Sequence, residues 1–394
     1  MHNNTHKLPE PMPEPSVRHY VAGGTEHGGG IGRLIGYILA SHPQNSHDHR
    51  VTDTRGPRWD KLRSPFILWG AMALMIKDRL VAPGRVHHLH IAGRGSTARK
   101  LVLGACARTL GCTHVLHLHD FDYAADFLRR PIWQRRAIRA LFRGADRVIV
   151  LGERDRATAT ELLGVPPRSI GVLHNAVPDP QQGRDAPAKT QATAPQADPQ
   201  GTPCKIVFLG QLGPRKGVPE LLSALAHPNM QSLNWSAVLA GDGPVDEYHA
   251  EAERLSLLDR VSLPGWLGSA ETRALCERSD ILVLPSHGEG MAMAVLEGLA
   301  HGLAVVTTRV GAHEEILRDW ETCLFVPVGD VEALANALGN LIAHPEMRAK
   351  LAQAGRAHYL NALSIDAYVG KLDALHRSVS QGALQRVPTQ RGAA

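Results

Sequence analysis

Short apolar runs rich in β-branched residues recur at 18–22, 86–91, 114–118, 147–151 and 170–173, and again at 205–209, 236–240, 261–263, 281–284 and 304–307. Between them lie segments long enough for helices, such as 219–226 and 292–301. This alternation predicts an α/β fold of parallel sheets covered by helices on both faces. The pattern breaks at 183–203, where GRDAPAKTQATAPQADPQGTP has no apolar periodicity and too little hydrophobicity to bury. That stretch is expected to link two Rossmann-like domains, 17–182 and 204–365. A helical segment from Met347 to about Ser378 closes the pattern, which sets a C-terminal helix at 366–380. Residues 1–16 and the tail 381–394 are expected to be disordered.

A chain of 394 residues with 43% hydrophobic and 21% charged residues is long enough for two cores. The longest mostly apolar run, 65–76, falls far short of the ~20 residues that span a bilayer. The start, MHNNTHKLPEPMPEPS, is polar and Pro-rich, unlike a signal peptide. Five cysteines, scattered and never spaced as a metal or redox pair, fit buried thiols in a reducing compartment. A cytoplasmic location follows as the expectation. The net charge of +5 conceals an asymmetry: residues 1–182 hold 25 Lys and Arg against 15 Asp and Glu, whereas the remainder holds 18 against 23. The first half is suited to a negative partner.

In parallel sheets, ligands bind outside the carboxyl ends of strands, so the informative residues follow strands. After 205–209 comes GQLGPRKGVPELLSAL, in which Gly210, Gly213 and Gly217 permit close backbone approach and Arg215 and Lys216 sit beside a helix start. Such a turn can cradle an anion; it is also what an ordinary basic loop looks like. After 281–284 comes PSHGEGMAMAVLEGLAHG, with Glu289 before a helix and Glu297 about one turn inside it. Side chains lean toward a helix N-terminus, so Glu297 can reach back toward a ligand at the strand ends, and carboxylates accept paired sugar hydroxyls well. The backbone N–H groups of Gly290, Met291, Ala292 and Met293 would face a phosphate. Two glutamates eight apart are equally common on solvated helices.

The segment PSHGEGMAMAVLEGLA, with FLGQLGPRKGVPELLSAL, AVLAGDGP, VSLPGW and VVTTRVGAHEEIL in order and spacing, resembles the retaining GT-B glycosyltransferases of family four, the glycosyl transferases group 1. The resemblance covers most of 205–330. It implies the GT-B fold, two Rossmann-like domains with parallel sheets facing across a cleft. It also implies transfer of a sugar from a nucleotide-diphosphate sugar to a hydroxyl acceptor with retained configuration, as in the synthesis of bacterial exopolysaccharide, lipopolysaccharide or glycolipid. By the same resemblance Glu289 contacts donor-sugar hydroxyls, Glu297 holds the ribose, and Lys216 neutralises the diphosphate. Trp266, in VSLPGW, joins the donor-binding set. The family has Arg where this chain has Gln211, which leaves neutralisation to Lys216 with help from Arg215. That departure keeps open a non-catalytic or impaired GT-B protein. An epimerase or phosphorylase on the same fold is the other alternative.

In the first half, AGGTEHGGGIGRLIGYIL is glycine-rich and resembles the family's first loop, where Gly29 and Gly30 let the chain pass close to diphosphate and acceptor. A dinucleotide fingerprint would need a glycine where Arg33 stands. LHNAVPDP resembles the family's Asn-Gly turn, with Ala176 in the glycine's place, and His119 resembles its histidine near the reacting sugar. Asp120-Phe121-Asp122 mimics a D-x-D metal motif in the wrong architecture. His87, His88, His90, His117 and His119 lack an accompanying Cys or carboxylate pattern, so neither metal nor other cofactor is expected. The segment RRPIWQRRAIRALFRGADR aligns Arg135, Arg139 and Arg143 in one helical row opposite Ile138, Leu141, Phe142 and Ala145. That row is a solvated face or a contact with anionic lipid on the cytoplasmic face of the inner membrane. The expected partners are a nucleotide-sugar donor, a sugar or lipid-linked sugar acceptor and such a membrane surface, with no nucleic acid.

Overall fold

The structure is a computed structural model that describes residues 15–42, 49–182 and 201–385. The expected linker lies outside them apart from 201–203, as do 1–14 of the N-terminus and 386–394 of the tail.

Two six-stranded sheets carry the fold, and every strand pair in them is parallel. The first comprises β1 (Val17–Val21), β2 (His49–Asp53), β3 (Val86–Ile91), β4 (His114–Leu118), β5 (Arg147–Val150) and β6 (Ile170–Val172), in the order β2-β1-β3-β4-β5-β6. The second comprises β7 (Cys204–Leu209), β8 (Trp235–Ala240), β9 (Val261–Gly265), β10 (Ile281–Leu284), β11 (Ala304–Thr308) and β12 (Leu324–Val326), in the order β12-β11-β10-β7-β8-β9. The central strands β1, β3, β4 and β10 are buried at every position, as strands with helices on both faces must be. This is the GT-B architecture.

Ten strands fall where the apolar runs place them. The two others, β2 and β12, occupy sheet edges. The closing helical segment is two helices, Pro345–Ala362 and Ile365–Gln385, broken at Leu363 and Ser364. There the chain returns to the first half: Ser364 bridges to Val177, the Tyr359 hydroxyl donates to the Val177 carbonyl at 2.8 Å, and Arg356 donates to Asp179 at 2.7 Å. Tyr368, Leu372 and Val379 of the last helix then pack with Val17, Val86 and Val115 of the first sheet. The last helix thus belongs to the N-terminal core. It runs on to Gln385, so the first residues of the expected disordered tail are helical.

Both sheets reverse direction beside their first strand. The chain leaves β1 for β2 on one side and for β3 on the other, and leaves β7 for β8 on one side and for β10 on the other. Loops diverge at such switch points and open a crevice at the carboxyl ends. The turns after β7 and β10 therefore meet, although about 75 residues separate them.

Candidate active site

The turn after β7 is a short 3₁₀ segment, Pro214–Lys216, that joins the helix Val218–Leu225 at Gly217. Gly217 has φ +72°, and a Cβ there would stand 2.1 Å from the Pro285 carbonyl oxygen of the turn after β10. Only glycine lets the two connections touch. Lys216 Nζ consequently reaches Glu289 Oε1 at 2.6 Å, the Ser286 hydroxyl donates to the same oxygen at 2.7 Å, and Arg215 stands 3.5 Å away. Arg215 also donates to the Gly288 carbonyl at 2.8 Å and lies over the Phe121 ring of the first half.

The helix Met293–Ala300 is buried from Ala294 to Ala300, and Gly298 lets it press on Leu282 of β10. Glu289 and Glu297 are only 7% and 9% exposed, so neither rides a solvated helix face. Buried carboxylates demand partners. Glu289 has Lys216; Glu297 is ion-paired to Arg33, which projects from the first half's helix Gly29–Ser41. Burial raises the Glu297 carboxyl above its ordinary value, and the Arg33 charge opposes that rise.

These groups surround a cavity of about 610 Å³ between the two sheets. The C-terminal half contributes Gln211, Arg215, Lys216, Trp266, Glu289 and Glu297, together with Gly290, Met291, Ala292 and Met293 at the start of the buried helix. Across from them stand Gly29, Gly30 and His119. The approach is close: a Cβ on Gly30 would lie 3.9 Å from Met293 Cγ. The helix N-terminus and Lys216 supply positive potential, the buried glutamates supply acceptors for hydroxyls, and a ligand with an anionic centre and a polyhydroxylated flank matches both.

Two lining residues escaped the sequence as contributors. Arg33 entered only as the residue that spoils a dinucleotide motif. Asn175, in the LHNAVPDP turn, donates through Nδ2 to the Met291 carbonyl at 3.0 Å and so fastens the first half to the glutamate loop. Its burial beside a known turn is the signal that could have found it.

The tertiary structure places two groups of side chains in ways that spacing along the chain leaves open. Arg135, Arg139 and Arg143 are not a uniformly free row: Arg139 donates to the Leu162 carbonyl at 2.8 Å and covers the Phe127 ring, Arg135 is half-buried, and only Arg143 is exposed. The segment Thr158–Leu162 thus engages the row through the Leu162 carbonyl alone. The strand histidines, judged one strand at a time, lacked a ligand set. In the sheet, His90, His117 and His119 bring nitrogens within 4.8 Å of one another, and so do His19, His88 and His90.

Residues 190–358 match the family described as Glycosyl transferases group 1, and residues 37–179 match that described as Glycosyltransferase Family 4. The lipopolysaccharide core biosynthesis glycosyltransferase LpsE of Rhizobium meliloti is 32% identical over 163 residues, 41% of this chain and 46% of that protein. The match thus spans under half of LpsE. Alpha-D-kanosaminyltransferase of Streptomyces kanamyceticus is 23% identical over 303 residues, 74% of this chain and 77% of that one. Among solved structures, sucrose-phosphate synthase from Thermosynechococcus elongatus superposes with a TM-score of 0.70 at 16% identity, covering 94% of this chain and 100% of that one. Anabaena HepE in complex with UDP-glucose gives 0.70 at 17% identity, covering 92% and 99%. At such identities the superpositions establish the fold alone.

Proposed function

The chain belongs to the group 1 glycosyltransferases, and from that premise we propose that it transfers a sugar from a nucleotide-diphosphate sugar, with retention, to a hydroxyl on a bacterial glycolipid or polysaccharide precursor. The observation that carries this reading is the cavity in which Lys216, Glu289 and Glu297 meet the glycine turn of the first half. In it, Glu297 accepts the two ribose hydroxyls, displacing Arg33. The diphosphate lies between Lys216 and the N-terminus of the Met293–Ala300 helix, and the sugar lies against Glu289. Preorganised donors at that place stabilise the charge that gathers on the departing diphosphate. Glu289 is tied down by Lys216 and Ser286, which suits an acceptor of hydroxyl hydrogen bonds better than a free nucleophile. The acceptor hydroxyl attacks the face that the diphosphate leaves and passes its proton to a diphosphate oxygen. Arg215, held at the site by Gly288 and Phe121, supplies the charge that Gln211 lacks and favours an active enzyme over an impaired one.

The acceptor side of this reading includes a membrane surface. No helix among the described residues is long and apolar enough to cross a membrane. The helix Arg63–Val81, however, is apolar on two sides: Ala71 and Met75 face the core, while Phe66, Trp69 and Leu80 are 75%, 71% and 78% exposed. Lys61, Arg63 and Lys77 are exposed beside them. An apolar stripe flanked by cations is the pattern of a helix lying in an anionic interface. The helix begins at the carboxyl end of the first sheet, on the cavity side.

A thermal-shift screen of nucleoside diphosphates and their sugar conjugates tests the donor, since a ligand of the folded state raises the melting point. Proton NMR of the anomeric signal in the product then tests retention. No stabilisation by any nucleotide, or an inverted anomer, would overturn the reading.

A further inference from the structure

One face of the first sheet, under the helices Gly29–Ser41 and Ile365–Gln385, is apolar at its amino end, where Val17, Val86 and Val115 pack together. Toward the cavity the next inward positions are imidazoles. His19 follows Val17, His88 and His90 follow Val86, His117 follows Val115, and His119 carries the row to the cavity wall. A core layer seldom spends so many positions on polar rings.

Most of these rings are satisfied in one continuous chain. His119 Nε2 meets His90 Nδ1 at 3.0 Å, His90 Nε2 meets His19 Nδ1 at 3.1 Å, and His19 Nε2 meets His49 Nδ1 at 3.1 Å. His49 ends the chain 4.0 Å from the Asp373 carboxylate. His88 keeps one nitrogen, Nε2, without a partner, and His117 is the larger exception. It is 0% exposed, neither of its nitrogens has a hydrogen-bond partner, and its ring centroid is 3.9 Å from that of His119. An orphaned buried nitrogen is destabilising, unless something else occupies the space between these rings.

We propose that His90, His117 and His119 form a three-imidazole site for a divalent transition-metal ion of the zinc class, at the wall of the cavity, with its remaining coordination position open to the cavity.

A tetrahedral ion with N ligands at about 2.0–2.1 Å sets them roughly 3.3 Å apart. The His90 and His119 nitrogens, 3.0 Å apart, are already near that spacing, and His117 offers a nitrogen within 4.8 Å of both, so binding requires it to close in. The ion replaces one histidine–histidine hydrogen bond with two metal bonds and gives His117 its missing partner. Imidazole ligands favour zinc, copper or nickel over magnesium, calcium or manganese. The hydrogen-bond chain becomes the outer support of the site: His90 donates its other N–H to His19, which donates to His49 beside Asp373, the relay that orients metal-bound imidazoles. The Lys100 charge acts on both His90 and His119, and burial pushes its ammonium down to about 7, so its repulsion of an ion fades above neutral pH. The deeper set, His19, His88 and His90, is less suited. Both nitrogens of His19 and one of His88 are already bonded, and neither ring lines the cavity, whereas His119 does. Three protein nitrogens with an open fourth position is the arrangement of catalytic rather than structural zinc. The inference concerns metal binding and stands whether or not the donor assignment above holds.

The full chain, stripped with a chelator and held near pH 8, is titrated with Zn²⁺ by calorimetry and with Co²⁺ by visible absorption. Expected are one equivalent of ion, the spectrum of a tetrahedral nitrogen-ligated cobalt centre, and a higher melting temperature with Zn²⁺. His117→Gln and His119→Gln should each weaken Zn²⁺ at least tenfold, whereas His88→Gln should not. His119 lies at the cavity edge, so His119→Gln remains informative if His117→Gln does not fold. Absence of saturable Zn²⁺ binding in the wild type, undiminished binding by His119→Gln, or loss of binding in His88→Gln instead would overturn the proposal.

Discussion

Removing Lys216 separates a structural role from a catalytic one. Its ammonium is 2.6 Å from Glu289 Oε1, and the two side chains are 13% and 9% exposed. Breaking a buried ion pair from one side costs about 3–5 kcal/mol. Here Arg215 stays 3.5 Å from the same oxygen and Ser286 still donates to it, so Lys216→Ala should destabilise the unliganded protein by about 2–3 kcal/mol, the low end of that range or just below it. Adding Glu289→Gln removes the stranded charge and should restore most of that loss. Activity should not return, because the diphosphate still lacks its nearest cation. Losing one preorganised electrostatic donor costs about 10²–10³ in kcat. Arg215, 40% exposed, should cost far less, about fivefold at most on the scale of partly solvated charges. Nucleoside-diphosphate release from the nucleotide sugar, with melting curves on the same four proteins, reads both effects. A greater loss of turnover in Arg215→Ala than in Lys216→Ala, or full activity in the double variant, would refute the assignment.

Glu297→Ala should weaken nucleoside-diphosphate binding by about 1.5–3 kcal/mol, the worth of charge-assisted hydrogen bonds, without loss of fold; calorimetry that returns an unchanged Kd would count against it. Arg33→Ala removes the charge that opposes the burial-driven rise of the Glu297 carboxyl, so that carboxylate should protonate at higher pH. Since the ionised form accepts the ribose hydroxyls, nucleotide affinity of Arg33→Ala should fall as pH drops, beginning at a higher pH than in the wild type; coincident pH profiles would show that the pair does not tune the site. On anionic vesicles, Phe66→Ala with Trp69→Ala should lower sedimentation about tenfold or more, given the apolar area two aromatic rings can bury. The triple reversal of Arg135, Arg139 and Arg143 should act less, because Arg139 is committed to Leu162 and Phe127. A wild type that stays in the supernatant at low salt would remove the membrane from the account.

The parallel sheets were legible because buried strands such as β7 and β10 read as nearly continuous apolar runs, and β1, β3 and β4, though broken by Arg18 and histidines, still keep Val, Leu and Ile positions. The edge strands were not: HRVTD of β2 is polar, with only Thr52 buried, and β12 is three residues long. The break between the last two helices follows from tertiary packing of Tyr359 and Ser364 against Val177, which no local propensity announces. Glu289, Glu297 and Lys216 could be singled out because each follows a strand at a switch point. Arg33 could not, since its partner is 264 positions away on the other wall. The histidines were visible one strand at a time, but their convergence depends on the register that sets His88 beside Val115 and His90 beside His117. The arginine row shows the converse: helical spacing predicts a face and says nothing of the carbonyl and ring that engage Arg139.

The most direct test of the account is a crystal structure of the full chain with a bound nucleoside diphosphate. The account predicts the diphosphate between Lys216 and the N–H groups that open the Met293–Ala300 helix, with the ribose hydroxyls on Glu297 and Arg33 released from it. A nucleotide bound outside the cavity, or one that leaves the Arg33–Glu297 pair closed and Lys216 on Glu289 alone, would contradict it.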